Sequence, residues 1–156
     1  MTYVFDNSPL SALFKNYYRG VFRSLWDGFD GLVAEGKFLP TREVRREIDD
    51  SGITLLIDWA ELHKAIFATP TAAEGAFVAK IYAVAHFHQN IETKKLLKGD
   101  KNADPFVIAR AAVTESTVVT MEQLKSNAAR IPNICEHFGL KWLSLEKFME
   151  AEGWIF

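Results

Sequence analysis

Short apolar runs alternate with longer stretches whose apolar residues recur every three or four positions, a pattern that predicts an α/β chain. Tyr3 to Phe5 reads as a buried strand, closed by the turn-forming Asp6-Asn7-Ser8-Pro9. Val21, Phe22, Leu25, Trp26, Phe29, Leu32 and Val33 form one helical stripe, which Gly28 and Gly31 weaken and Gly36 ends. A second strand is expected over Lys37 to Leu39, with Thr41 as N-cap of a helix carrying Val44 and Ile48. A helix over 53–67 would present Leu56, Trp59, Ala60 and His63 on one face. After a loop at Ala68-Thr69-Pro70-Thr71, one long helix is predicted from Ala72 to Leu97, with Phe77, Val78, Ile81, Val84, Ala85 and His88 inward.

A polar connection over 99–103 leads to Asp104-Pro105, which has the N-cap and N1 chemistry of a further helix burying Val107, Ile108, Ala111 and Ala112. Thr117 to Val119 reads as a third strand entering a helix at Thr120, and Lys141 to Leu143 as a fourth, followed by a last helix capped by Ser144. Strands separated by helices imply a parallel sheet covered on both faces. No internal repeat, low-complexity segment or linker divides residues 1–156, which are expected to form a single domain.

Composition narrows the class. The chain is 49% hydrophobic and 24% charged, which excludes a largely disordered protein. Its longest apolar stretch, Ala76 to Phe87, is broken by Lys80 and is too short to span a bilayer. The start, MTYVFDNS, has no secretion signal, and a single cysteine, Cys135, suits a reducing compartment. The expected location is the cytoplasm. A net charge of −2 gives the whole molecule no electrostatic pull on nucleic acid, so local clusters matter more. Two stand out: Arg42, Arg45 and Arg46 around Glu43 and Glu47, and Lys94, Lys95, Lys98 and Lys101 leading toward Asp104. For both, the simple reading is solvated helix surface.

The candidate chemistry lies in acids at chain breaks: Asp6, Glu47, Asp104 and Glu122. In a parallel α/β fold such breaks meet along one sheet edge, and carboxylates gathered there call for a hard divalent cation. Each acid also has a structural explanation. Asp6 can make an Asx-turn to Ser8, Asp104 can cap a helix, and Glu43 lies in a first helical turn. Glu122 would lie in a first turn whose Thr120 and Gln123 match a capping box. Glu47, one turn after Glu43, is too far into its helix to cap it. His86 and His88 diverge by about 200° on a helix and make no ligand pair. His88 is expected as a hydrogen-bonded core residue, while His63 and His137 have no partner at ligand spacing. No base accompanies Cys135, and no Gly-rich phosphate loop or nucleophile elbow is present. The four tryptophans are expected in the core, with Trp154 docking the apolar terminus on its own domain.

In order, YVFDNS, LPTREVRREI, ADPFVIARAAV and VVTME resemble the PIN-domain nucleases, and within them the VapC-like toxins. The tail IPNICEHFGLKWLSLEKF is similar to a subgroup of stand-alone PIN-like proteins. The resemblance implies a three-layer α/β/α fold with a short central parallel sheet. It implies Mg²⁺ or Mn²⁺ held by acids and used to cleave single-stranded RNA, in the toxin half of a toxin–antitoxin pair. Carried over, Asp6 and Asp104 are the principal metal ligands, and Glu47 ligates the metal or orients the attacking water, a place Glu43 could also take. Glu122 is the fourth acid, standing where an aspartate is more usual, which points to an outer position. Ser8 and Thr120 are supporting hydroxyls, although Asn7 stands where a small hydroxyl residue is common. Arg42, Arg45 and Arg46 are candidates for steering the RNA backbone. The implied partners are an RNA substrate, a cognate antitoxin and a second copy in a homodimer. The rival is a non-catalytic PIN-like module binding RNA or protein. A receiver-like phosphoacceptor fits less well, because TYVFDNS offers one acid at the first strand end where that fold needs a pair.

Overall fold

The computed structural model describes residues 1–99 and 101–156; the predicted connection over 99–103 lies partly outside the described residues. Strand β1 (Tyr3–Phe5) leads into α1 (Asn7–Asn16), and α2 (Arg23–Ala34) ends at Gly36, whose φ of +70° suits a residue without Cβ. Then come α3 (Arg42–Asp49), α4 (Thr54–Leu62), a 3₁₀ turn (Lys64–Ile66), α5 (Ala72–Tyr82) and α6 (Ala85–Leu97). The order finishes with α7 (Asp104–Thr114), β2 (Thr117–Val119), α8 (Ile131–His137), β3 (Trp142–Leu143) and α9 (Leu145–Ala151).

Among the described residues the sheet is parallel, in the order β1-β2-β3, with Val4 opposite Val118 and Val119 opposite Leu143. Tyr3 and Phe5 project to one face, where Phe148 of α9 meets both rings at centroid distances of 4.7 and 4.9 Å. Phe29 of α2 and Phe38 extend that layer toward Trp59 of α4. The opposite face is taken by α7, which lies against β1 and β2 and is backed by α5. The α/β/α architecture with a short parallel sheet therefore holds.

Three expectations about elements change. Lys37 to Leu39 is a single parallel bridge from Phe38 to Tyr3 rather than a strand. The turn at Gly36 precedes it, and past Leu39 the backbone bonds the other way, Pro40 O accepting the Ala68 N–H, so the ladder ends after one rung. The long helix breaks at Val84, which is extended at ψ 107°. Ile81 and Phe87 are both buried, yet six positions put them about 240° apart on a continuous helix, and the break brings both inward. The third difference follows β2: no helix starts at Thr120, and the next one is α8.

Smaller predictions resolve similarly. Thr41, Thr71 and Ser144 cap α3, α5 and α9, and Thr71 closes a capping box with Glu74. His88 is exposed, with its ring edge-on to Tyr82, and is not a core residue. His63 lies stacked on Trp59 and His137 against Phe87. Trp154 docks on its own domain, against Phe148 and over Gly28. Cys135 is buried, and burial first, then Glu136, pushes its thiol up to about 12, which makes it inert.

Candidate functional site

Parallel strands deliver their carboxyl ends to one edge, and the acids converge there. Asp6 is the first residue past β1, and Glu122 follows β2 by three residues. Helix α7 runs into β2, so its first residue, Asp104, lies at the far end, beside the same edge. Ligand oxygens of Asp6, Asp104 and Glu122 all lie within 4.8 Å of one another. Asp6 and Asp104 are 4% and 2% exposed, so their charges face each other with little water between them.

Each side chain is fixed by local chemistry. Asp6 caps α1, with Oδ1 accepting the Asn7 N–H at 2.8 Å, while the Thr120 hydroxyl donates to Oδ2 at 3.4 Å. The same Thr120 oxygen accepts the Glu122 N–H at 3.1 Å. Glu122 Oε2 accepts the Ile131 N–H at 2.9 Å, so this carboxylate reaches forward to the start of α8. Asp104 caps nothing. The N-cap of α7 is Ala103, which leaves the carboxylate free to enter the cluster, and its Oδ1 is buried without a hydrogen-bond partner. Glu47, on the last turn of α3, accepts the Ala103 N–H at 3.3 Å and faces the cleft.

The cleft beside the acids has a volume of about 410 Å³ and is lined by Asp6, Asn7, Ser8, Glu47, Asp50 and Glu122 together with Lys94, Lys98 and Lys101. Lys94 Nζ pairs with Asp104 Oδ2 and lies 2.5 Å from Glu122 Oε1. Lys98 Nζ is 3.2 Å from Glu47 Oε2 and 3.9 Å from Asp104 Oδ1, and Lys101 pairs with Asp50 at 2.5 Å. Burial opposes the charge on Lys94, but Asp104 and Glu122 outweigh it and hold the ammonium above its ordinary range. Asp6 is raised as well, which in an acid disfavours the charge. Burial first, then the charges of Asp104 and Glu47, push it up to about 7, with the Asn7 N–H pulling down and Glu122 adding to the rise. This donor set fits a hard cation: oxygen ligands, a buried carboxylate oxygen without a hydrogen bond, and an acid raised by its neighbours' charge.

The sequence ranked Glu47 above Glu122, whereas the closest set contains Glu122 and holds Glu47 at its margin. Its capping role belongs to α8, since no helix begins at Thr120. Glu43 does not line the cleft; it is buried beside Arg42, 2.9 Å away. Two of the three arginines are engaged away from the cleft. Arg42 is held by Glu43, and Arg45 turns to α4, bonding Ala60 O, Glu61 and Asp49. Arg46 is exposed. The cations at the cleft are instead lysines, read in the sequence as solvated surface. The run of lysines at 94, 98 and 101, leading from the end of a predicted helix toward Asp104, was the available signal.

No described helix is long and apolar enough to cross a membrane. No curated protein matches the chain. Among solved structures it is similar to a chain of the crystal structure of VapBC2 from Rickettsia felis bound to a DNA fragment from their promoter, at 12% identity and a TM-score of 0.49, over 92% of this chain and 98% of that one. The family described as a domain of unknown function, DUF4411, matches residues 3–156, and the chain belongs to that family.

Proposed function

We propose that the chain is a metal-dependent endoribonuclease of the PIN type that hydrolyses single-stranded RNA and serves, in the cytoplasm, as the toxin of a toxin–antitoxin pair. The observation that carries the hydrolase reading is the convergence of Asp6, Asp104 and Glu122 within 4.8 Å at the carboxyl edge of the sheet. The RNA substrate, the toxin role, the antitoxin filling the cleft and the homodimer rest on the resemblance of YVFDNS, LPTREVRREI, ADPFVIARAAV and VVTME.

Asp6, Asp104 and Glu47 would hold Mg²⁺ or Mn²⁺. A bound cation supplies an acidified water and offsets charge on the scissile phosphate. Asp6 is aimed by the Asn7 N–H and Thr120, and Asp104 offers Oδ1. Glu47, held by the Ala103 N–H, faces the cleft where it can orient a water. Ser8, also at the cleft, can donate to a phosphate oxygen. Lys98 and Lys101 give the rim positive charge that favours an RNA backbone, with Arg46 farther along α3.

One observation favours the rival reading, a non-catalytic module: the Lys94 ammonium already lies among the acids. Incubating purified protein with single-stranded RNA and Mn²⁺ or Mg²⁺ separates the two. Cleavage is expected, with losses of roughly 10²-fold or more for Asp6→Asn and Asp104→Asn. Retention of intact RNA on a gel, with no cleavage under either metal, would establish the module instead. Equal cleavage by the variants would remove the assigned acids from the site.

A further inference from the structure

Two-cation phosphodiesterases clamp the attacking and leaving oxygens between ions about 4 Å apart. The acids of this cleft are not equally available for such a pair. Asp104 Oδ2 and Glu122 Oε1 are both engaged by Lys94 Nζ, a side chain 28% exposed and reaching them from α6. The opposite side is different: Asp104 Oδ1 has no hydrogen bond, and Asp6 and Glu47 face the cleft beside it. The carboxylate of Asp104 thus divides the site, one oxygen hydrogen-bonded to an ammonium and the other without a hydrogen bond, with Lys98 Nζ no nearer than 3.9 Å.

Charge leads to the same division. Asp6, Glu47, Asp104 and Glu122 bring four negative charges when ionised, and Lys94 and Lys98 return two. The remainder equals one divalent cation. A second would leave two surplus positive charges in the cluster, against one if Lys94 were absent, and a site of low dielectric disfavours the larger surplus.

We infer that Lys94 is a built-in replacement for the second metal, so that the site takes a single divalent cation between Asp6, Asp104 Oδ1 and Glu47. The inference rests on the metal-centre reading above. Two of the three ammonium N–H groups are spent on Asp104 and Glu122, and the third is available to a phosphate oxygen in the cleft that Lys94 lines. An ammonium held this way contributes fixed charge without needing to be loaded, at the cost of the Lewis acidity a metal would add.

Manganese stoichiometry tests it, read from the loss of the free Mn²⁺ electron paramagnetic resonance signal on titrating metal-free protein. Wild type is expected to bind one Mn²⁺ per chain. Lys94→Met, which keeps the length of the apolar stem and removes the ammonium, is expected to bind two, while Lys94→Arg and Lys101→Met stay at one. Two ions in wild type, or one in a folded Lys94→Met, overturns the inference; Lys94→Gln, which keeps a polar end in place of the ammonium, carries the same two-ion expectation if Lys94→Met does not fold. RNA cleavage with two bound ions would refute the role of Lys94 and leave the nuclease reading standing, whereas no Mn²⁺ bound to any form would defeat both.

Discussion

Thr120 donates its hydroxyl to Asp6 Oδ2 at 3.4 Å, joining the ends of two neighbouring parallel strands that are 114 residues apart in sequence. The same oxygen accepts the Glu122 N–H, so one fully buried side chain sets the position of two acids. Replacing it by valine keeps the shape and removes both bonds. Thr120→Val is expected to lose about 1–2 kcal/mol of stability in a denaturant titration. It should also weaken Mn²⁺ binding, and unchanged affinity would mean that Asp6 and Glu122 hold their places without it.

Asp6 gives the metal-free protein an unusual pH dependence. Its carboxyl is pushed from 3.8 to about 7, so between those values the folded chain holds a proton that the unfolded chain has released. The stabilisation from that proton is complete below about 3.8 and lost as pH rises through about 7, at about 1.4 kcal/mol per unit of displacement. Asparagine retains the helix-capping oxygen and cannot ionise. The melting temperature of Asp6→Asn minus that of wild type, in chelator, should therefore rise from pH 5 to pH 8 and vanish on adding Mg²⁺ to wild type. A flat difference would show that neither burial nor the neighbouring charges raise Asp6.

Glu43 and Glu47 sit one turn apart on α3 and part company in the structure. Glu47 faces the cleft, and Glu43 is buried against Arg42. Glu47→Gln should weaken Mn²⁺ affinity by tenfold or more, about 1.4 kcal/mol. Glu43→Gln should leave it unchanged and act on thermal stability alone. Isothermal titration of both variants distinguishes them, and the reverse ranking would move the site to Glu43.

Gly28 is needed for the C-terminal segment to dock. A Cβ there would lie 2.7 Å from Trp154 Nε1, too close for any side chain, so the indole must shift. Although alanine favours a helix, Gly28→Ala is expected to destabilise by about 1–3 kcal/mol through displaced packing. In a Trp154→Ala background the obstruction is gone, and the same change should become neutral or stabilising. Thermal melts of the four combinations test the coupling, and additive effects would contradict it.

Local rules carried much of the fold. Apolar periodicity placed α2, α3 and α4, the β-branched run placed β2, and Thr41, Thr71 and Ser144 announced their helices because capping is a contact between residues three apart. Where the sequence misled, the deciding contact was distant. The helix expected over 72–97 breaks because Ile81 and Phe87 must both reach the interior, a demand made by the packing around them. At Thr120, where a helix start is expected, the hydroxyl reaches Asp6, 114 residues away, and the chain runs on without a helix as far as α8.

The site divides in the same way. Acids at chain breaks, together with parallel strands, sufficed to place Asp6 and Glu122 on one edge, since the carboxyl ends of parallel strands open to the same side, and Asp104 joins them because α7 runs back from that edge into β2. Which acids are bare and which are paired was decided only by the tertiary structure. The turn of α6 that carries Lys94 into the cluster, and the burial that leaves Asp104 Oδ1 without a hydrogen bond, depend on how helices pack across the edge. Sequence spacing determines which groups can share a face; only packing sets the few ångströms at which an ammonium neutralises one carboxylate oxygen and misses its neighbour.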